Sequence, residues 1–241
     1  MSGQLAAKAA TAITADTPVL VRDDVADENW ASRGAHKLIG ALDAFPDVVV
    51  EGRRILDAGA STGGFTDVLL RRGAREVVAV DVGYGQLIWR LQNDDRVTVH
   101  DRTNVRTLTP DAIDGQVELT VSDLSFISLR LVLPALTACT RSDGDLVLMV
   151  KPQFEVGKDR IGSGGVVRDL GHRADAVAGV VDAAAELGWG MAGVAASPLP
   201  GPSGNVEFFV HLCSDPAAAR TDTGDSPLRQ AIDTAVQEGP R

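Results

Sequence analysis

The sequence predicts an α/β fold, a seven-stranded, mostly parallel sheet with helices on both faces. Three observations predict it. From residue 53 to residue 214, short runs rich in Val, Ile and Leu alternate with segments of helical periodicity. The runs are apolar almost throughout, as strands buried on both faces require. A glycine-rich turn, "LDAGASTGGFTD", joins the first run to the first helical segment, and ligands of such sheets sit beyond the carboxyl ends of the strands.

The elements follow in order. "ASRGAHKLIGALDAF" (31–45) reads as a helix ahead of the sheet, with Ser32 at its N-cap and Leu38, Leu42 and Phe45 along one face. "RRILDAGA" (53–60) is the first strand, and "GGFTDVLLRRG" (63–73) a helix stopped by Gly73. "REVVAVDV" (75–82), "VTVHDRTN" (97–104), "VELTVSDLSF" (117–126) and "GDLVLMVKP" (144–152) read as the next four strands. Helices are expected at 86–94, at 129–139 with an interruption at Pro134, and at 173–189. "GMAGVAASPL" and "NVEFFVHLCS" (205–214) close the sheet. Residues 1–30 stand apart as a strand or two and an acidic linker. The tail from 215 reads as a linker, with a short helix expected at 227–238.

At 241 residues the chain holds one sizeable domain and some additional segment. No apolar stretch approaches the ~18 residues that span a bilayer, and a cytoplasmic location is expected. The net charge of -10 argues against coating nucleic acid by bulk attraction, yet leaves room for a local basic face. Arg33, His36, Lys158 and Arg160 are the candidates for that face. Cys139 and Cys213 lie far apart in apolar segments and read as small buried hydrophobes, with no metal site expected.

The glycine turn points to a nucleoside cofactor. Gly59, Gly63 and Gly64 let the backbone turn tightly beside a ligand, at the positive end of the helix that follows. Asp81, closing the second strand, can take both hydroxyls of an adenosine ribose. Nicotinamide enzymes share these devices, but "GASTGG" lacks the one-three-six glycine spacing of the dinucleotide turn, and a cofactor without pyrophosphate such as S-adenosylmethionine suits it better. Candidate cofactor contacts are Asp57, Gly59, Ala60, Ser61, Gly63, Gly64, Phe65, Asp81, Val82, Thr103, Asn104, Asp123 and Leu124. Phe126 would pack either on the ligand or in the core.

Four further residues suggest the chemistry. Lys37 lies on the first helix, Asp123 near the end of the fourth strand, Lys151 at the end of the fifth and Glu207 at the opening of the last. Only four lysines, Lys8, Lys37, Lys151 and Lys158, stand among 23 basic residues, and lysine is the cation that can give up its proton. Two amines and two carboxylates gathered in one crevice suit methylation of an alcohol, with Lys151 steering the hydroxyl proton and Lys37, Asp123 and Glu207 orienting it. The polar stretch "KPQFEVGKDRIGSGGVVRDL" after Lys151 reads as a mobile substrate clamp.

"ASRGAHKL", "LDAGASTGGFTDVLL", "AVDVGYGQL", "DLSFISL", "VKPQFEVGK" and "SPLPGPSGNVEFF" together resemble the TlyA family of rRNA 2′-O-methyltransferases, historically labelled hemolysins. The resemblance covers about residues 30–214 and implies a class I Rossmann-like S-adenosylmethionine-dependent methyltransferase domain similar to FtsJ enzymes. It places a Lys-Asp-Lys-Glu tetrad on Lys37, Asp123, Lys151 and Glu207, and implies methylation of cytidine ribose in small- or large-subunit ribosomal RNA. Such proteins usually begin with a complete small RNA-binding domain, of which residues 1–30 look like the last strands. The rival readings are a small-molecule O-methyltransferase and a membrane-active hemolysin.

Overall fold

The computed structural model describes residues 29–201, 203–215 and 226–240. The expectations for residues 1–28 and 216–225 lie outside this range.

The sheet is built from β1 (Arg54–Ala58), β2 (Glu76–Val80), β3 (Val97–His100), β4 (Val117–Ser122), β5 (Thr140–Val150), β6 (Trp189–Ala196) and β7 (Phe208–Ser214). Their spatial order is β3-β2-β1-β4-β5-β7-β6. Neighbours from β3 to β5 are parallel, and β7 runs antiparallel to both β5 and β6. Because the chain starts at the centre, winds out to β3 and returns to β4, connections leave β1 and β4 in opposite directions. The crevice between their carboxyl ends is the topological switch point, where open α/β sheets bind ligands.

Alternate residues of the strands feed two cores. One face carries α1 (Gly34–Ala44), α2 (Gly64–Arg71) and the short α3 (Trp89–Gln92), packed on Ile55, Val77, Leu119, Val147 and Phe209. The other carries α4 (Leu133–Cys139), α6 (Leu170–Ala185) and α7 (Pro227–Glu238) against Leu56, Val78, Leu146, Leu148 and Phe208. A further single turn, α5 (Pro152–Glu155), follows β5. The helix expected near the end of the chain is α7, capped by Ser226 and docked through buried Ile232, Ala235 and Val236.

Several boundaries differ from the sequence expectation, each for a local reason. Pro134 begins α4 instead of interrupting it, because a first-turn N–H has no helical partner to lose. β4 stops at Ser122, so "DLSF" forms a loop instead of extending the strand. α6 starts at Leu170, where the Asp169 carboxylate accepts from the His172 amide at 2.8 Å. Ser32 accepts from the Gly34 amide at 3.2 Å, with Arg33 the last residue before α1.

The stretch after Lys151 is tethered at two points. Buried Glu155 accepts from Ser128 Oγ at 2.6 Å and from the Leu129 amide at 2.7 Å. Asn205, also buried, accepts from the Val167 amide and donates to the Gly165 carbonyl, both at 2.9 Å. Between these anchors, residues 157–160 and 162–165 are exposed.

Candidate active site

Lys37, Asp123, Lys151 and Glu207 converge in one crevice. Lys37 projects from α1, buried between the helix and the sheet, where its ammonium donates to Glu207 Oε2 at 2.5 Å. On its other side Asp123 Oδ2 lies 3.9 Å away. Asp123 Oδ1 in turn lies 2.6 Å from Lys151 Nζ. The result is a row of alternating amines and carboxylates, Glu207–Lys37–Asp123–Lys151. Three of the four are buried, with Glu207 1% exposed, Lys37 5% and Lys151 7%, and Asp123, its side chain 24% accessible, is the member that reaches water.

The positions follow from local structure. Lys151 directly follows β5 with its amine at the carboxyl edge of the sheet, and Pro152 then starts α5 with a fixed φ. Asp123 is the first residue past β4, its amide donating to the Ala58 carbonyl at 3.2 Å. Glu207 immediately precedes β7, in a turn where Gly201 presses so closely that a Cβ there would lie 2.7 Å from Glu207 Oε1. That oxygen is buried and has no hydrogen-bond partner among the described residues. Two contacts escaped the sequence reading. Ser125 Oγ accepts from Lys151 at 2.8 Å, and Met149 Sδ approaches Lys37 at 3.9 Å. Ser125 lay in plain sight in "SDLSF", hidden only by the strand assignment.

The glycine turn lies beside this row. Gly59 holds φ +90°, and a Cβ on it would come within 2.9 Å of the Asp123 carbonyl oxygen, so glycine is needed both for the turn and for its approach to β4. Asp81, at the end of β2, accepts from the Ser61 amide at 2.9 Å through Oδ2 and from the Gly83 amide at 2.7 Å through Oδ1. Each carboxylate oxygen keeps further acceptor capacity for a ligand hydroxyl. Val82 and Tyr84 are exposed at the rim beyond it, while Leu124 is half-buried against Gly59.

The other expected cofactor contacts have mixed surroundings. Ala60 backs the turn through its amide to the Val80 carbonyl, and Ser61 is exposed with φ +48°. Gly63 and Gly64 are buried against Leu91 and Ser32, so their lack of a side chain serves packing. The Phe65 ring is buried 6.1 Å from Phe209, leaving only its backbone near the turn. Thr103 donates its amide to the Asp81 carbonyl, and the Asn104 side chain caps the short turn that follows β3. Asp57 lies fully buried beneath the glycines, accepting from Thr66 Oγ1 at 2.6 Å through one oxygen while the other has no hydrogen-bond partner among the described residues. Burial, opposed by the Thr66 hydrogen bond and reinforced by the charges of Asp123 and Asp81, pushes its carboxyl from 3.8 up to about 7.

Phe126 is not in the core. It stands 91% exposed at φ +64°, leaning on Phe154 with ring centroids 5.4 Å apart, one residue from the serine that holds Lys151.

Residues 30–213 match the FtsJ-like methyltransferase family. The chain belongs to that family. The 16S/23S rRNA (cytidine-2′-O)-methyltransferase TlyA of Mycobacterium tuberculosis is 57% identical over 240 residues, spanning 100% of this chain and 88% of the relative. The 23S rRNA (cytidine-2′-O)-methyltransferase TlyA of Campylobacter jejuni is 34% identical over 78% of this chain and 72% of its own. Among solved structures, a candidate hemolysin from Streptococcus thermophilus superimposes with a TM-score of 0.79 at 40% identity, covering 87% of this chain and 75% of that one. The FtsJ-like domain therefore occupies nearly all the described sheet, and its crevice is the one formed by β1 and β4.

Proposed function

We propose that this FtsJ-like protein transfers a methyl group from S-adenosylmethionine to the 2′-hydroxyl of a cytidine in ribosomal RNA, through Lys151. The observation that carries the reading is the row Glu207–Lys37–Asp123–Lys151, whose Asp123 lies against the Gly59 turn. The rRNA cytidine specificity rests on the named activity of the two TlyA relatives.

The residues fit the cofactor. Asp81, with acceptor capacity left on both oxygens, would hold the ribose hydroxyls, Val82 would cover the adenine, and the Gly59–Ser61 backbone would take the amino-acid end. S-adenosylmethionine supplies an electrophilic methyl group and leaves as a neutral thioether. A ribose hydroxyl attacks only as its proton departs, so a proton acceptor must stand at its oxygen. Lys151 is placed for that role: its amine reaches the open end of the crevice, between Asp123 Oδ1 and Ser125 Oγ. Asp123 compensates the ammonium charge that forms, while Lys37, itself compensated by Glu207, keeps the Asp123 carboxylate aimed. Arg33 and Lys158, exposed and without an ion-pair partner among the described residues, are suited to RNA phosphates. Arg160 would have to leave Asp175, 3.2 Å away, to join them, and His36 lies half-buried on α1 nearby in sequence.

Against the competing hemolysin reading, no helix among the described residues is long and apolar enough to cross a membrane. The test is methyl transfer from labelled cofactor to ribosomal subunits and to free rRNA, with the modified ribose mapped. Lys151→Ala is expected to abolish transfer while cofactor binding persists. Lys151→Arg should do the same, because a guanidinium keeps the charge but cannot accept a proton. Turnover by either variant at the wild-type rate would remove Lys151 from the reaction.

A further inference from the structure

At the end of the β5–β7 ladder remote from Lys151, three side chains bring one nitrogen, one oxygen and one sulfur to a single point. Asp145 and Cys213 are paired residues of the antiparallel β5–β7 ladder, and Val147 pairs with His211. His211 and Cys213 are two apart on one strand, so the alternation of the pleat puts both on the same face as Asp145. His211 Nε2 lies 2.8 Å from Asp145 Oδ1, and Cys213 Sγ lies 3.4 Å from each of those two atoms. The sequence reading of Cys213 as an isolated buried hydrophobe is corrected here. The thiol is half-buried beside a histidine two residues away on its own strand and a carboxylate that strand register brings to it.

Asp145 Oδ1 can accept from both the His211 ring N–H and the Cys213 thiol, while Asp145 and Cys213 both face the one ring nitrogen, Nε2. That excludes a relay of the nucleophile–histidine–acid kind, which needs both ring nitrogens. Meanwhile Arg53 Nη1 holds the other Asp145 oxygen, Oδ2, at 2.5 Å, fixing the carboxylate with Oδ1 aimed at the centre of the group. Outer hydrogen bonds of this kind orient the carboxylates of metal sites.

We propose that Asp145, His211 and Cys213 form a binding site for one zinc-class divalent cation, which fastens β7 to β5. The donor set suits a borderline-soft ion and neither calcium nor magnesium, which take oxygen donors. Tetrahedral zinc, with bonds of about 2.0–2.3 Å, sets its ligand atoms roughly 3.3–3.7 Å apart. Both distances to Cys213 Sγ, at 3.4 Å, already meet that spacing, and only the 2.8 Å nitrogen–oxygen pair must open. A water completes the four ligands on the side where Cys213 and Asp145 are accessible. Asp145 lies six residues before Lys151 on β5, about 20 Å away at ~3.3 Å per residue, so the ion plays no part in methyl transfer.

The experiment uses tag-free protein stripped with a chelator and titrated with zinc against a chromophoric competitor. A single ion should bind, and Cys213→Ser and His211→Ala should each weaken it at least about tenfold, the loss that even an outer-shell change produces. Cys139→Ser, altering the other thiol, should bind as wild type does. Cobalt should give a thiolate-to-metal charge-transfer band in wild type and Cys139→Ser and none in Cys213→Ser. Wild-type protein offers a check that needs no variant: zinc should slow alkylation of Cys213, read by peptide mass spectrometry. No stoichiometric zinc, undiminished affinity in both ligand variants, or an unchanged Cys213 alkylation rate would overturn the site.

Discussion

Phe126 adopts a conformation its side chain disfavours, in a place where its ring gains little from burial. A positive φ costs a non-glycine residue roughly 1–2 kcal/mol, and at 91% exposure the ring recovers almost none of that by leaving water. A feature that costs folding stability and sits next to Ser125, which holds Lys151, is a candidate for substrate handling. An exposed aromatic ring beside a ribose-modifying centre offers a face on which a base can stack, worth about 1–3 kcal/mol. Phe126→Ala should therefore lower kcat/KM for RNA by roughly 10-fold or more, at ~1.4 kcal/mol per factor of ten, while cofactor affinity and the unfolding midpoint hold or improve. Unaltered kcat/KM in that variant would assign the exposed ring no role with substrate. The sequence left this residue divided between ligand and core, because "SDLSF" continues the apolar pattern of β4. Only the turn at Asp123, where the ladder ends, decides between them.

The strands and the four charged site residues were legible for one reason. In a parallel sheet, strand ends in sequence become neighbours in space, so a lysine, an acid or a glycine turn at a strand terminus can be located without coordinates. What depended on antiparallel register was not legible. Asp145 is 66 residues from His211, and nothing in either segment's pattern states that β7 would lie against β5 in the pairing that joins them. At this scale the Lys37–Glu207 pair has a structural role as well as a chemical one, since it ties α1 to the entry of β7 across the sheet. Both partners are almost wholly buried, and without Glu207 the buried Lys37 keeps only Asp123, 3.9 Å away, as a countercharge. Glu207→Ala should destabilise the fold by about 3–5 kcal/mol. Lys151→Ala should cost less, because its partner Asp123 is accessible to water and keeps Lys37 within 3.9 Å. Urea unfolding of the two variants separates the effects. Equal losses would mean that Lys37 and Glu207 do not act as the clamp between these elements.

For the molecule as a whole, the response of stability to pH turns on Asp57. Its carboxyl, at about 7 when folded and 3.8 when free in water, retains a proton over a range in which the unfolded chain has released it. The folded state then binds more protons than the unfolded one, so stability falls as pH rises from about 4 to about 7 and levels off above. The full shift is worth ~4 kcal/mol, of which ~3 kcal/mol is expressed between pH 5 and pH 8. The acidic groups held low by ion pairs, such as Asp94 beside Arg96, work in the opposite sense but titrate below this window. Cofactor-free protein should accordingly unfold at lower urea at pH 8 than at pH 5. Asp57→Asn, which keeps an oxygen to accept from Thr66 and carries no charge, should flatten that slope and be the more stable form at pH 8. If the variant keeps the wild-type slope, the titration lies elsewhere. If wild type grows more stable from pH 5 to pH 8, Asp57 is already ionised in the fold, and its unpartnered Oδ1 must have found a donor in solution.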